Sequence, residues 1–188
     1  MPLFFIMASA RWQTWLGRLA AGDDRPALPP APEGVEIRFL ADDPCDPEPF
    51  ARWLYAQWSA PRGETLDRRR ASLSLHRSIR RLPLALVAYE AGEPAGIVCL
   101  RARDLHSREA SPWLCALYVD APRRGRGIGR ALVAACEAVA RHLGHRELYL
   151  FTTEYAGLYR SLGWQELPPL PAECRLSPRP VVFRRDLC

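Results

Sequence analysis

The sequence RRGRGIGR occupies residues 123–130, between a strand-like run at 113–119 and a helix-like run at 128–143. A glycine-rich turn from a strand into a helix leaves several backbone N–H groups without intrahelical partners, and these groups converge at the helix N-terminus. The helix dipole adds partial positive charge there. Glycine lets the backbone approach a ligand closely because it carries no Cβ, and the arginines add charge. The stretch therefore predicts a cradle for a pyrophosphate group.

The spacing of the glycines distinguishes between known phosphate-binding loops. A Walker A loop needs a lysine, and this chain contains none. A dinucleotide fingerprint needs Gly-x-Gly-x-x-Gly, which the stretch does not have. What fits is Arg124-x-x-Gly127-x-Gly129, which resembles the Gln/Arg-x-x-Gly-x-Gly/Ala signature of the GCN5-related N-acetyltransferases (GNAT), a loop that binds the pyrophosphate of acetyl-CoA. The alternative is a solvated Arg/Gly-rich turn.

A second motif supports the same resemblance. Residues 159–166 read YRSLGWQE, and this segment is similar to the Phe-Tyr-x-x-x-Gly-Phe segment near the C-terminal end of GNAT domains, with Leu158 and Trp164 at the two positions of the family's other aromatics. The resemblance implies that Tyr159 points towards the thioester sulfur. A phenol can protonate a leaving thiolate, so Tyr159 is a candidate general acid. The alternative is a tyrosine that packs its helix against the sheet.

Composition places the chain among globular proteins. It has 188 residues, of which 48% are hydrophobic and 25% charged, and this length is enough for one domain with a proper core. The net charge is +5, and every residue of the Lys+Arg total of 26 is an arginine. Because the arginines are scattered, apart from 68–70 and 123–130, binding of nucleic acid is the weaker interpretation. No apolar run reaches the roughly 20 residues that span a bilayer.

The six cysteines do not form a Cys-x-x-Cys pair, and the histidines show no ligand spacing beside them. We therefore predict no metal site. Cys99, Cys115 and Cys136 lie in apolar runs and are predicted to be small buried hydrophobes. The chain does not look like a short secreted scaffold, so we expect reduced thiols and a cytoplasmic location.

Two segments are predicted, an N-terminal extension with a proline-rich linker at 1–34 and a folded domain at 35–188. Residues 12–19 have apolar positions at helical spacing, which leaves open a packing helix, an upstream extension before Met7, or a targeting or membrane-surface helix. Prolines interrupt residues 26–32, and this interruption marks a linker.

Periodicity predicts the elements of the domain. Strands are expected at 35–40, 84–89, 95–100, 113–119, 147–151 and 181–185, with a hairpin turn at 90–93. Helices are expected from Pro47 to Trp58 with Asp46 as the cap, at 65–81, 128–143 and 155–162. This order predicts a mixed α/β sheet with helices on both faces. It is also the order of the GNAT acyl-CoA N-acyltransferase fold, which the resemblance extends over residues 35–187.

The GNAT resemblance implies further features. The central sheet would be mostly antiparallel, with strands 113–119 and 146–151 splayed apart to admit the pantetheine arm of acetyl-CoA. The backbone at Leu117, Tyr118 and Val119 would bind pantetheine. The pyrophosphate would be bound at 124–130, that is, by Arg124, Gly125, Arg126, Gly127, Ile128, Gly129 and Arg130. Many relatives carry an asparagine just after the later strand, where this chain has Thr152, Thr153 and Glu154.

The implied reaction is direct attack of a neutral amine on the thioester, with the oxyanion stabilised by backbone N–H groups. Candidates for the base that deprotonates the amine are Asp104, His106 and Glu109; Glu109 ranks first, beside a water chain without a dedicated base. The chain is thus identified as an acetyl-CoA-dependent N-acetyltransferase acting on an amine of a small molecule or peptide. Acidic acceptors would suit arginines such as Arg68 and Arg69.

Two alternatives remain at this point. One is an acyl-CoA-binding regulatory module without transfer activity. The other is an arginine-rich protein that binds nucleic acid or a membrane surface through residues 65–81 and the N-terminus. The identity of the acceptor is not encoded in a motif, because acceptor pockets are built from variable loops. A homodimer is one assembly that the resemblance allows.

Overall fold

The computed structural model describes residues 25–104, 110–169 and 178–188. Within these ranges the chain forms a seven-stranded sheet in the order β1-β2-β3-β4-β5-β7-β6. The strands are β1 (Val35–Phe39), β2 (Leu84–Glu90), β3 (Glu93–Arg101), β4 (Trp113–Val119), β5 (Glu147–Thr152), β6 (Gln165–Glu166) and β7 (Val181–Asp186). All neighbours pair antiparallel except β4 and β5, which are parallel. The predicted mixed sheet is confirmed, although the sequence analysis missed the short β6.

The central hairpin of β2 and β3 carries the core on both of its faces. Successive side chains of a strand point to opposite faces, and in β2 Leu84 and Leu86 enter one apolar cluster while Ala85 and Val87 enter the other. The turn between the strands has Ala91 at φ 51° and Gly92 at φ 81°. Positive φ at both central residues is the geometry of a tight hairpin turn, as predicted for residues 90–93.

Helices cover both faces of the sheet, as predicted. On one face lie α1 (Glu48–Leu54), which continues through a π-helical turn at Tyr55–Ser59 and a 3-10 turn at Ala60–Arg62, and α2 (Leu66–Ser74). On the other face lie α3 (Ile128–His142) and the short α4 (Ala156–Ser161). The amphipathic stripe of α3 is fully buried at Leu132, Cys136 and Val139. Each fully buried leucine or valine side chain contributes roughly 1.5–3 kcal/mol.

Side-chain hydrogen bonds to backbone N–H groups accompany the N-terminal ends of α1 and α2. The Thr65 hydroxyl caps α2 by accepting from the N–H of Arg68 at 3.2 Å. At α1, the side chain of Asp46 accepts from the N–H of Glu48 at 3.0 Å, while Pro47 occupies the cap position itself. The predicted start at Pro47 with Asp46 as the cap was therefore one residue too early.

The prediction of a helix over 65–81 was wrong at its C-terminal end, because α2 stops at Ser74. The Ser74 hydroxyl donates to the carbonyl of Ala71 at 2.8 Å, and the Ser78 hydroxyl accepts from the N–H groups of Arg80 and Arg81. Such side-chain bonds offer the backbone an alternative to the helix. Leu75, directly after the helix, is 70% exposed.

Strand β4 is irregular at the point that matters for the site. Ala116 has φ 54°, and the β3–β4 register shifts between Ile97 and Cys99, so β4 carries a bulge. A bulge leaves a residue unpaired and bends its strand. On its other side β4 pairs with β5 at a single register position, Trp113 with Tyr149. The two strands therefore separate beyond this position, as the family resemblance implied.

The described part of the proline-rich segment, residues 25–34, contains neither helix nor strand. It nevertheless lies against the domain: Leu28 packs on the core, and Arg25 and Asp42 form an ion pair at 2.7 Å. The domain boundary at residue 34 stays a prediction. Residues 1–24, and with them the three alternatives for the segment around residues 12–19, lie outside the described residues.

Candidate active site

Two cavities meet where β4 and β5 separate. The larger has a volume of about 520 Å³ and is lined by residues 117–119 of β4 and by the loop at 123–130. The smaller has a volume of about 250 Å³ and is lined by residues 114–117 of β4, the segment 151–155 and several polar side chains. The residues that line both are Gln57, Trp58, Leu117, Tyr155 and Tyr159. A ligand that passes from one cavity to the other must pass these side chains.

The glycine-rich loop presents unpaired backbone donors to the larger cavity. Gly127 caps α3 at φ 83°, and Gly125 has φ 78°. Within the part of the chain that the structure describes, the N–H groups of residues 125–130 form no hydrogen bond, and the first bonded one is that of Ala131, which donates to the carbonyl of Gly127. A Cβ at Gly125 would have no atom within 4 Å. The loop thus offers an open row of donors at a helix N-terminus, suited to phosphate.

The arginines of this loop are held by other groups. The Arg124 Nε–H donates to the carbonyl of Val119 at 2.9 Å. Arg123 and Arg126 share the carboxylate of Glu90, with N–O distances of 3.4 and 3.0 Å. Arg130 donates to the Ser161 hydroxyl at 3.1 Å. The arginines therefore supply positive charge around the loop, and Arg124 and Arg130 keep further guanidinium N–H donors beside those of the backbone.

The predicted pantetheine segment, Leu117 to Val119, lines the larger cavity on β4. Its central side chain, Tyr118, is fixed from the helical side, since Trp53 stacks on the ring at 5.4 Å between centroids and Trp58 contacts it edge-on at 6.4 Å. Aromatic contacts of this kind contribute about 0.5–1.5 kcal/mol beyond burial. They hold the strand edge that faces the cavity.

Tyr159 lies on α4 at the junction of the two cavities. Its ring packs against Trp164 and Phe183, at centroid distances of 6.0 and 5.8 Å. Burial raises the pKa of Tyr159 to about 12, because the buried site disfavours the phenolate. Among the described residues nothing hydrogen-bonds its hydroxyl. Tyr159 therefore packs the helix, as the alternative interpretation proposed, and also presents a protonated phenol at the junction.

The smaller cavity is lined by charges of both signs. Its cationic side chains are Arg62, Arg69 and Arg101, and its carboxylates are Asp104 and Glu154. Arg69 donates twice to the buried Ser59 hydroxyl, at 2.8 and 2.6 Å. The presence of these arginines and acids in one cavity was not visible in the sequence, because the five residues come from four separate segments of the chain.

The candidates for the base are only partly placed. Glu109 and His106 lie outside the described residues. Asp104 lines the smaller cavity. Glu154, which the sequence analysis noted only as a departure from the family's asparagine, lines the same cavity and begins at a turn in which its N–H donates to the Thr152 hydroxyl. Two carboxylates therefore line the smaller cavity.

Most basic side chains of α2 are neutralised locally. Arg70 pairs with Glu48 and Asp67, each at 2.6 Å, and Arg69 is held by Ser59 and lies 3.5 Å from Glu64. Arg68 is exposed and does not line either cavity. The helix therefore does not present an uncompensated basic face of the kind that binds nucleic acid.

The cysteines partly match the prediction. Cys99 and Cys136 are buried, whereas Cys115 is half-buried and lines the smaller cavity. Burial raises the pKa of Cys99 to about 11 and that of Cys115 well above its ordinary value. In the described part of the chain, His, Cys, Asp and Glu side chains form no cluster suited to a metal ion, and no helix there is long and apolar enough to cross a lipid bilayer.

The chain is similar to known proteins both in family and in structure. The model of the acetyltransferase (GNAT) family matches residues 48–164, which is more than half of the chain. The match begins at α1 and ends at Trp164, after α4. It therefore includes the loop at 123–130, residues 159–164 of the second motif, and the strands β4 and β5 that separate from each other.

Solved structures show the same fold. yncA, a putative acetyltransferase from Salmonella typhimurium with its cofactor acetyl-CoA, is 19% identical over 83% of this chain and 95% of its own, with a TM-score of 0.59. An aminoglycoside 6'-acetyltransferase type Ii is 19% identical over 81% of this chain and 97% of its own, with a TM-score of 0.63. A putative acetyltransferase of the GNAT family from Desulfovibrio desulfuricans is 22% identical over 82% and 99%, with a TM-score of 0.61.

Proposed function

Because this chain belongs to the acetyltransferase (GNAT) family, we propose that it transfers an acetyl group from acetyl-CoA to an amine of a small molecule or peptide. In this proposal the acceptor is a primary amine, and it attacks the thioester directly. The structural neighbour from Salmonella typhimurium holds acetyl-CoA as its cofactor, and the larger cavity of this chain offers the features that such a ligand requires.

The observation that carries the proposal is the meeting of the two cavities at Leu117 and Tyr159. Group transfer needs a donor site and an acceptor site that share one point, where the reacting atoms come within about 3–3.5 Å. A protein that only held acyl-CoA would need the larger cavity alone. The second, polar cavity beside the first therefore favours transfer over the regulatory alternative.

The cofactor is assigned to the larger cavity. The pyrophosphate would accept hydrogen bonds from the N–H groups of residues 125–130, with Arg124, Arg126 and Arg130 supplying charge. The pantetheine arm would lie along Leu117 to Val119 in the gap between β4 and β5, where the edge of β4 is not covered by its neighbour. The acetyl end would then reach the junction near Tyr159.

The chemistry follows from these positions. The neutral amine attacks the thioester carbonyl carbon and forms a tetrahedral oxyanion, which backbone N–H groups at the β4 bulge would stabilise. The C–S bond then breaks, and the thiolate takes a proton or a hydrogen bond from the Tyr159 phenol. With a pKa of about 12, this phenol keeps its proton at neutral pH and up to about pH 12.

The amine also loses a proton. Glu109 remains the proposed base, and Asp104 and Glu154, which line the smaller cavity, are the carboxylates that would replace it. Alanine variants of the three, compared by the pH dependence of kcat/KM, identify the base: the acid limb disappears in the variant that lacks it.

The test of the proposed function is calorimetric titration with acetyl-CoA, followed by turnover with an amine library. Micromolar binding together with acceptor-dependent release of CoA is the expected result. Failure to bind acetyl-CoA contradicts the proposal. Binding without turnover on any amine would identify the regulatory module, and salt-dependent binding to duplex DNA or anionic vesicles would favour the arginine-rich binder.

A further inference from the structure

We propose that the smaller cavity selects amino-acid-like acceptors, in which Arg101 binds a carboxylate of the molecule whose amine is acetylated. This inference rests on the proposed function and adds the chemical class of its acceptor. It follows from the partners of Arg101, from the charges that surround it and from the size of the cavity.

Arg101 is a cavity-lining cation whose charge is not matched by a contacting acid. It is the last residue of β3, half-buried, on the face of the sheet that α1 and α2 cover. Its Nε–H donates to Nε2 of His76 at 3.1 Å. Among the described residues no carboxylate forms an ion pair with its guanidinium. A guanidinium in this position favours an anionic ligand, because leaving a charge partly buried without a counter-ion is costly.

His76 orients the guanidinium. Its Nδ1–H donates to the carbonyl of Ser72 at 2.8 Å, which leaves Nε2 as the acceptor for Arg101. Burial lowers the pKa of His76 to about 4, so the imidazole is neutral near pH 7 and able to accept. With Nε engaged, the two Nη groups of Arg101 remain as donors. Two parallel donors match the two oxygens of a carboxylate.

The remaining charges of the cavity fit a zwitterion. Glu64 lies 3.7 Å from Arg62 and 3.5 Å from Arg69. Within the described ranges, Arg101 has no such carboxylate in contact and interacts with Asp104 only at longer range. Asp104 and Glu154 line the same cavity and favour an ammonium or amine group. A ligand with an amine at one end and a carboxylate at the other would match both signs, whereas a carboxylate-free polyamine would bring positive charge to Arg101.

The size of the cavity is compatible with such a ligand. Its volume is about 250 Å³, and it opens into the larger cavity at the lining residues that the two share. A free amino acid or a molecule of similar size fits such a space. The inference is therefore a small amino-carboxylate acceptor, bound with its carboxylate at Arg101 and its amine towards the junction at Tyr159.

The test compares matched acceptors. The standard L-amino acids and their carboxamides, which keep the amine and side chain but lose the carboxylate charge, are assayed with acetyl-CoA for the parent protein, Arg101→Met and the control Arg103→Met. Arg103 is exposed and lines neither cavity. The expected result is a preference of about 10- to 100-fold in kcat/KM for the acid of the best pair. Arg101→Met removes it and Arg103→Met keeps it, while Arg101→Lys restores part of it.

Separate binding measurements distinguish this inference from the proposed function. Acetyl-CoA is titrated into each variant, and the amino acids and carboxamides are then titrated with CoA present and absent. If acetyl-CoA does not bind, the proposed function fails, and the amino-acid titrations still report on Arg101. If acetyl-CoA binds but the acids show neither binding nor turnover, or the carboxamides are used equally well, the inference is overturned. Retention of the preference in Arg101→Met also overturns it.

Discussion

The larger cavity is bounded on one side by the glycine-rich loop at 123–130, which we propose to bind the pyrophosphate through its backbone, whereas the smaller cavity is lined by side chains scattered from Gln57 to Tyr159. A backbone site depends on a local conformation, and conformation depends on a few neighbouring residues, above all glycine. A side-chain site depends on the tertiary fold that brings distant residues together. The difference explains why the donor site carries a recognisable motif and the acceptor site does not. The predictions that follow test this division between backbone and side chains.

The largest effect is expected from a carboxylate in the phosphate-binding loop. Gly125→Glu should weaken acetyl-CoA binding by at least about 100-fold, since like charges placed together cost several kcal/mol. The matched control is Gly144→Glu, after α3. Both glycines have positive φ, 78° and 86°, and at both an added Cβ meets no atom within 4 Å, so both variants carry a similar backbone strain of about 1 kcal/mol.

The affinity of both variants for acetyl-CoA is measured by calorimetry, and the stability of each is measured by thermal unfolding. Equal loss of binding in Gly125→Glu and Gly144→Glu would mean that strain, and not the position in the loop, is responsible. Unchanged binding in Gly125→Glu would show that the pyrophosphate does not lie against this loop, and the backbone interpretation of the donor site would fail.

The next effect concerns the junction of the cavities. Tyr159→Phe should lower kcat by about 100-fold or more, as expected for loss of a general acid, with little change in the KM for acetyl-CoA. The ring contacts with Trp164 and Phe183 are kept, so stability should hardly change. Tyr155→Phe is the control, because Tyr155 also lines both cavities but is 58% exposed. Equal activity of Tyr159→Phe and the parent would exclude the acid role.

The pH dependence of activity tests the same role of Tyr159. A raised pKa means that Tyr159 keeps its proton to a higher pH than an ordinary tyrosine, up to about 12. Activity should therefore rise with pH as the amine is deprotonated and should not fall near pH 10 on account of this residue. A decline of kcat centred near pH 10 that Tyr159→Phe abolishes would contradict the assigned pKa.

A smaller effect is expected from His76 on the acceptor side. Its pKa is lowered to about 4 in the folded protein, below the ordinary value of about 6.5. The unfolded chain therefore binds the proton first, and stability is lost as pH falls below about 6.5. Between pH 6.5 and pH 5 the loss is about 2 kcal/mol. Urea unfolding at the two pH values measures it, and the difference should shrink in His76→Gln.

The smallest effect is expected at Cys115, the cysteine of the described chain that lines the acceptor cavity. Burial raises its pKa well above the ordinary value, so the thiolate that would act as a nucleophile is rare. Cys115→Ala should leave kcat within about threefold of the parent if the amine attacks the thioester directly. A large loss, together with an acetylated form of the parent trapped without acceptor, would indicate transfer through the cysteine instead.

Much of the fold was predictable because its elements carry strong periodic signals. The hairpin of β2 and β3, the strand–loop–helix unit around residues 113–143 and the final strand β7 were all read from the sequence. The C-terminal end of α2 was not, because Ser74 and Ser78 compete for the backbone where the apolar pattern still continues to Ile79. β6 was missed because a strand of two residues is too short to show a periodic pattern of apolar side chains.

The site divides in the same way. Residues 117–119 and, with the exception of Arg126, residues 124–130 line one cavity; that they bind the cofactor stays a prediction. Arg101, which we infer to bind the acceptor, gave no sequence signal, since its role depends on the approach of His76 from a segment after α2. Gly96 gave none either, although a Cβ there would lie 2.8 Å from the carbonyl oxygen of Tyr118. Such contacts depend on strand register, which a single sequence does not specify.

The segment after α1, at Tyr55–Ser59, has a consequence for the binding of the two substrates. Gln57 and Trp58 line both cavities, so a shift of this segment when one ligand binds changes the wall of the other site. Thermodynamic linkage requires the coupling to be reciprocal: if bound CoA changes the affinity for the acceptor by some factor, the acceptor changes the affinity for CoA by the same factor. Donor and acceptor are then expected to bind as coupled ligands and not as independent ones.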